Sequence, residues 1–350
     1  MNKILVTGGL GFIGSNFILE QIKINKSKIL NFDKITYAAN PNNLISLSNS
    51  NNYNFFKGDI KNSKAISLAI NNFKPDIIVN FAAESHVDRS IDGPKGFIET
   101  NIVGTYELLQ SALSYYNGMS EKQKNNFKFI HISTDEVYGS LLNEGYFTEK
   151  SAYNPSSPYS ASKASSDHLV KSWYLTYGLP VIVTNCSNNY GPYQFPEKLI
   201  PFMILSCLKN KELPVYGDGK NIRDWIYVLD HCSAIDVIMN NGKIGETYNI
   251  GSNEEKNNLE VVESICRILN KKIPASNNKN YKDLIHFVED RPGHDFRYAV
   301  DNTKIKKELN WEPQITFDKA LELTVDWYIK NQNWWKKILN NDYQLDRIGV

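Results

Sequence analysis

The sequence is short of several things, and each shortage removes a class of function. Its four cysteines, Cys186, Cys207, Cys232 and Cys266, form no C-x-x-C pair and no cluster with histidine, which removes a disulfide scaffold and a zinc site of the usual spacing. They read as reduced thiols in a reducing compartment. Charge of one sign is also missing: 39 Lys and Arg stand against 38 Asp and Glu, a net charge of +1. No block of like charge offers itself to nucleic acid or a membrane surface. No apolar run is long enough to cross a bilayer, and Met1-Asn2-Lys3 leads into a strand and a glycine cluster, not a signal-peptide segment. A cytoplasmic protein without metal is the expectation. What remains are 350 residues, enough to bury one large core or two unequal lobes around a cleft. The polar runs Asn40-Pro-Asn-Asn43 and Ser48 to Asn52 read as exposed loops.

Short runs rich in β-branched residues recur at Ile4 to Thr7, Ile29 to Phe32, Ile77 to Phe81, Phe129 to Ile132 and Val181 to Thr184, with helix-length stretches between them. That alternation predicts a Rossmann-type α/β fold, a doubly wound parallel sheet with helices on both faces. After about residue 185 the pattern loosens into Pro- and Gly-punctuated loops mixed with short helices and strands. Residues 1–185 are therefore expected to form the main domain. Residues 186–350 mainly form a smaller mixed α/β lobe over the carboxyl ends of the strands, where ligands bind in open α/β folds. The lobe is expected to interleave with the main domain, a segment from about 230 to 252 returning with a strand at Thr247 to Ile250.

The first strand runs directly into Gly8-Gly9-Leu10-Gly11-Phe12-Ile13-Gly14 and then a helical stretch from Ser15 to Ile24. Glycines at this spacing permit the tight turn and the close backbone approach that a pyrophosphate at a helix N-terminus requires. Asp33 ends the second strand about twenty residues later, the position that binds ribose hydroxyls. Its charge would repel a 2′-phosphate, which favours NAD over NADP. Asp59-Ile60 stands where an acid can meet the adenine edge, although Asp59 equally suits a turn. The small residues Ala82 and Ala83 let the backbone approach a cofactor.

Tyr159 and Lys163 lie four apart, on one face of a helix expected to start just after Pro158. A cation beside a phenol favours phenolate, a usable base near neutral pH. The same spacing also occurs on ordinary surface helices. Ser133-Thr134-Asp135-Glu136 follows the Phe129 to Ile132 strand and puts a hydroxyl and two adjacent carboxyls at the cleft mouth. The plainer alternative is a helix start capped by Thr134 or Asp135.

These residues, with the strings Phe32-Asp-Lys-Ile-Thr-Tyr37, Ala82-Ala-Glu-Ser-His-Val-Asp-Arg-Ser90, Ser133 to Gly139, Ser157 to His168, Cys186-Ser-Asn-Asn-Tyr-Gly-Pro-Tyr193 and Asp290-Arg-Pro-Gly-His-Asp295, make the chain resemble the extended short-chain dehydrogenase/reductases. Within them it resembles the dTDP-glucose 4,6-dehydratases. The resemblance implies NAD, tightly held and regenerated at each turnover, and a nucleotide-sugar substrate, dTDP-glucose. It implies a hydro-lyase reaction in which Tyr159 deprotonates O4, Lys163 tunes that tyrosine and holds the nicotinamide ribose, both also lining the cofactor, Thr134 bonds the sugar near O4, Glu136 takes the C5 proton and protonated Asp135 expels the C6 hydroxyl. It adds Lys34, Thr36, Ser85, Thr100 and Asn189 to the cofactor set. For the substrate it names Ser85, His86, Asn188, Lys198, Leu199, Pro214, Tyr216, Arg223, Asn258, Arg291 and His294. Arg223 and Arg291 have the forked geometry to clamp a diphosphate, and either suits a surface ion pair as well. His86 and Arg89, in the loop after the fourth strand, are expected to help hold cofactor or sugar. Cys186 and Trp334-Trp335 are expected to pack. The resemblance also implies a homodimer through a four-helix interface, Lys95 to Tyr116 with Ser160 to Tyr177, and a part in rhamnose-type polysaccharide supply. A sugar-nucleotide 4-epimerase, a GDP- or UDP-sugar dehydratase and a silent NAD-binding scaffold stay as alternatives. The acid pair argues against the epimerase, which has no water to eliminate.

Overall fold

A computed structural model describes residues 2–24, 27–275, 280–341, 343 and 345. Its strands are, in chain order, β1 (Asn2–Thr7), β2 (Ser27–Asp33), β3 (Tyr53–Lys57), β4 (Ile77–Asn80), β5 (Lys128–Thr134), β6 (Val181–Cys186), β7 (Asn188–Tyr190), β8 (Leu213–Tyr216), β9 (Ile222–Tyr227), β10 (Thr247–Ile250), β11 (Glu255–Asn257) and β12 (Ile285–Val288). Seven make one parallel sheet in the order β10-β6-β5-β4-β1-β2-β3. Side chains alternate across it. Ile4 and Val6 enter one core with Phe17, Ile182 and Ile235, while Leu5 between them enters the other with Phe32, Leu108 and Val170. Both faces are covered, so the central strands read as continuous apolar runs.

From β1 the chain moves outward through β2 and β3, then crosses back to β4 and on through β5 and β6. The order reverses between β1 and β4, and a cleft opens there beyond the carboxyl ends of the strands. The doubly wound sheet expected from the sequence is present. One strand escaped the reading: β3 is an edge strand whose residues are half-buried or exposed, so its pattern carries neither an apolar run nor an alternation.

After β6 the chain builds both halves. Helix Val228–Asn241 packs on helix Phe12–Lys23, β10 pairs with β6, and helix Thr303–Leu309 packs on β10. Between these returns lies a second core of Met203, Ile204, Val215, Trp225, Val262, Leu321 and Tyr328. It carries two small sheets, β11-β9-β7 and β12-β8. The run at Asn40 corrects the sequence reading, since it is no free loop: Asn43 is buried, donates to the Leu10 carbonyl at 3.1 Å and accepts from Trp334 at 2.7 Å. A polar side chain ties the glycine loop to the C-terminal helix, which composition alone cannot reveal. Trp335 is buried, and both tryptophans pack.

Two helices frame the cleft. Helix Pro158–Tyr177 begins at the proline itself, with Ser157 capping the Ser160 N–H and Gly178 ending it in the left-handed region at φ +71°. The stretch expected as one helix from Lys95 runs as Pro94–Phe97, a wider π-wound turn Ile98–Gly104, and helix Thr105–Asn117. In that turn Asn101 bonds the Glu84 backbone and the Ser162 hydroxyl, joining the loop beyond the carboxyl end of β4 to the helix of Tyr159.

Candidate active site

The cleft has two chambers that share Glu136, Asn188, Glu197 and Lys198 in their walls. The first is built on the glycine loop. Gly8 has φ +68°, and a Cβ there would stand 2.7 Å from the Ala82 nitrogen, while one on Gly14 would stand 2.5 Å from the Gly8 carbonyl oxygen. A side chain would fill the cradle at either position. Asp33 accepts from Leu10 N–H at 2.9 Å and Ile35 N–H at 2.8 Å, fixing the loop while its remaining lone pairs stay in the chamber wall. Gly11, Phe12, Ile13, Lys34, Thr36, Ile60, Ala82, Ala83, Ser85, Thr100 and Asn189 complete that wall. The cradle, the unfilled approach beside Ala82 and the acid at the second strand end fit a dinucleotide.

Asp59 falls outside the wall. Its carboxylate accepts from Lys61 N–H at 2.9 Å, as a turn aspartate does, and lies 4.0 Å from Lys34 of the wall, with Gly58 and Ile60 on either side of it in the lining. Arg89 also differs from expectation. It sits in a short helix, Val87–Asp92, capped by His86, and it spends its charge on Glu197 at 2.8 Å and the Tyr37 ring at 4.1 Å.

The catalytic candidates meet at the end of β5. Thr134 accepts from Glu136 N–H and donates to Asp135, both at 3.3 Å. It caps the following turn, as the plainer reading has it, and at the same time touches the acid, with all three residues in the wall of the first chamber. Burial raises the Asp135 carboxyl well above the ordinary range, and the charges of Glu136 and Asp224 push the same way. One Asp135 oxygen has no partner. Desolvation raises Glu136 as well, but Arg291, Lys198 and Arg223 oppose it. Adjacent acids thus sit in unequal fields, Asp135 favouring its protonated form and Glu136 better able to ionise.

Tyr159 departs from the simple picture of a cation-activated phenol. Burial, then Glu136, holds its hydroxyl well above the ordinary value, with a hydrogen bond to Thr134 pulling the other way. Lys163, also buried, donates to the Ile132 carbonyl at 2.8 Å. Desolvation lowers the pKa of its ammonium, and Asp167 opposes that. Cys186 is inert as expected, its thiol pushed up to about 12 by burial and donating to the Ser133 carbonyl.

The second chamber gathers His86, Leu199, Pro214, Tyr216, Arg223, Asn258, Arg291 and His294 around the shared residues. Arg223 donates to the carbonyls of Ile222, Asp295 and Phe296 and lies over the Tyr298 ring at 4.4 Å. Lys198 donates to the Ser85 carbonyl at 2.7 Å across the lobe boundary. The sequence reading missed four residues in and behind the walls of the two chambers. Asp167 stands one turn after Lys163, and that spacing was a usable signal. Glu197 adjoins Lys198 but meets Tyr37 and Arg89 only through the fold. Tyr298 and Asp88 gave no local sign.

Residues 5–324 match the family model described as GDP-mannose 4,6 dehydratase. A dTDP-glucose 4,6-dehydratase of Xanthomonas campestris pv. campestris is 52% identical over 346 residues, 99% of this chain and 98% of that one. The crystal structure of a Bacillus anthracis dTDP-glucose 4,6-dehydratase in complex with NAD matches at TM-score 0.86 and 48% identity, covering 97% of this chain and 100% of that one. A Streptomyces venezuelae dTDP-glucose 4,6-dehydratase solved with NAD bound matches at TM-score 0.88 and 41% identity, covering 96% and 99%.

Proposed function

The chain belongs to the nucleotide-sugar 4,6-dehydratase family, and from that premise we propose that it converts dTDP-glucose to the 4-keto-6-deoxy sugar nucleotide and water, with NAD held in the first chamber. The observation that carries the reading is the pair of adjacent carboxyls in unequal fields beside Tyr159. An epimerase needs no such pair, and a silent scaffold has no use for acid, base and phenol at one cleft.

The glycine loop, Asp33 and the wall of the first chamber would hold NAD, which would supply the acceptor for the C4 hydride and the donor for C6 and whose positive charge would favour the Tyr159 phenolate. Tyr159 takes the O4 proton as C4 is oxidised, with Thr134 holding O4. The new ketone acidifies C5. Glu136 removes the C5 proton, and Asp135 gives its proton to the C6 hydroxyl, which leaves as water. Glu136 then returns its proton to C5, and the proton taken up by Tyr159 replaces the one Asp135 gave to the leaving water, so all three groups regain their starting states. Arg291, Arg223 and Lys198 are the cations for the diphosphate, with Asn188, Asn258 and Tyr216 toward the nucleoside.

A homodimer is part of the proposal. Ile98, Val103 and Tyr106 on one framing segment and Leu175 and Tyr177 on the other are large, apolar and exposed, which supports pairing of these helices. The product class suits deoxysugar supply of the rhamnose type. Among the described residues no helix is long and apolar enough to cross a membrane, which agrees with work in the cytoplasm.

The test is to incubate purified protein, without added cofactor, with dTDP-glucose, UDP-glucose and GDP-mannose, following product mass and the alkaline absorbance of 4-keto sugars. Loss of one water from dTDP-glucose alone is expected. Turnover of another substrate in its place, or no dehydration by NAD-loaded protein, would overturn the reading.

A further inference from the structure

The two arginines of the second chamber are held in different ways. Arg223 is fixed by three main-chain carbonyls close to it in its own half of the cleft. Arg291 relies on a carboxylate 203 residues away: its Nη1 donates to Asp88 Oδ1 at 2.7 Å, and the other Asp88 oxygen accepts from the Tyr216 hydroxyl at 3.2 Å. Asp88 belongs to the short helix Val87–Asp92 beyond β4, whereas Tyr216 and Arg291 belong to the opposing lobe. The side chains of Asp88 and Arg291 are 9% and 14% exposed, and Arg291 Nε is buried with no partner. One end of the guanidinium is therefore anchored while a donor stays unspent in the chamber wall.

We propose that Asp88 is a positioning residue for substrate binding, orienting Arg291 and Tyr216 across the lobe boundary so that Arg291 meets the diphosphate already aligned; this rests on the nucleotide-sugar reading above. The placement is otherwise hard to understand. A carboxylate beside an anion site repels the ligand and neutralises the arginine that should attract it. It helps only if the gain in orientation exceeds that loss. Arginine carries large rotamer freedom, and a fork held in advance loses less of it per hydrogen bond formed to the ligand. The Tyr216 contact makes the anchor two-sided, so two groups of the chamber share one carboxylate, while His294, edge-on to Tyr216 at 6.1 Å, is held by Asp290 at 2.6 Å.

Charge and orientation predict opposite signs, which makes the idea testable. Asp88→Asn keeps the shape and removes the charge. Asp88→Ala removes both. Binding of dTDP to the NAD-loaded protein is measured by calorimetry, and KM and kcat are measured with dTDP-glucose. The Kd for dTDP should rise on the order of tenfold in Asp88→Ala and about threefold in Asp88→Asn, with KM rising more than kcat falls. A Kd equal to or below that of the unaltered protein would show that the carboxylate merely offsets charge, and would overturn the proposal. So would equal losses in kcat and kcat/KM at unchanged Kd, the mark of a purely structural part. If Asp88→Ala does not fold, Asp88→Asn still decides the sign. Failure of the unaltered protein to bind dTDP would overturn the functional reading and this proposal together; unchanged variants of a protein that binds dTDP would overturn this one alone.

Discussion

The floor of the cleft and its lobe side solve different problems by different means. On the floor, the reacting groups issue from regular elements, the end of β5 and the face of helix Pro158–Tyr177. A buried web locks them: Asp167 accepts from Ser133 at 2.8 Å, Tyr153 at 3.0 Å and Asn185 at 3.3 Å, and Asn185 also donates to the Thr134 carbonyl at 3.1 Å. Behind it, Asn80 bonds Thr7 and His131, carrying the web across β4 to β1. On the lobe side Arg291 and His294 come from a loop, and Arg291 is set by a contact that exists only when the halves meet. The difference teaches that the groups proposed for chemistry, which tolerates little displacement, stand on a strand end and a helix face, while two of those proposed for recognition, Arg291 and His294, stand outside any regular element and are set by side-chain contacts.

The comparison breaks most sharply at Tyr159. Tyr159→Phe removes the proton acceptor on the floor and leaves the lobe intact, so turnover should fall by roughly 10³-fold while dTDP still binds. Bound cofactor should remain oxidised when substrate is added, and rapid NADH absorbance would remove Tyr159 from the first step. Next comes Asp135→Asn, in which elimination should slow about 10²-fold while C4 oxidation continues. NADH should therefore accumulate during turnover, and unchanged turnover would sink the acid assignment. On the lobe side, Arg223→Lys keeps the charge but loses the fork. KM should rise on the order of tenfold with kcat nearly kept, and a kcat effect as large as that at Asp135 would erase the distinction between floor and lobe.

The same contrast explains what the sequence could disclose. The glycine loop, Thr134-Asp135-Glu136 and Tyr159-x-x-x-Lys163 are contiguous because one strand end or one helix face delivers each, and local pattern suffices to find them. Asp167 continues the Tyr159 and Lys163 face by one more turn and was legible in principle. The bonds of Asp88 to Arg291 and of Glu197 to Tyr37 and Arg89 join segments that only the folded chain brings together. The polar stretch at Asn43 and the edge strand β3 were misread or missed for related reasons, since neither buried amides nor half-exposed strands show an apolar period. Even the direction of the Tyr159 shift was hidden, because the spacing discloses the cation while burial, which outweighs it, is a tertiary property.

The smallest effect concerns stability. The Asp135 carboxyl is raised well above its ordinary 3.8 by burial and by Glu136 and Asp224, so the folded chain keeps a proton that the unfolded chain releases near the ordinary value. Between those two values the native state binds more protons than the unfolded state, and stability falls as pH rises. The contribution is fully present below the unfolded value and is lost on the way up through the folded one. Asp135→Asn carries no proton to lose. It should therefore be more stable than the unaltered protein at neutral pH, seen as a higher melting temperature, with the gap closing as pH falls toward about 4. Glu136, facing the lobe cations, should give a smaller gap in Glu136→Gln. Equal gaps in the two variants would mean that the fields around the adjacent acids are not unequal, and the division of labour between them would have to be given up.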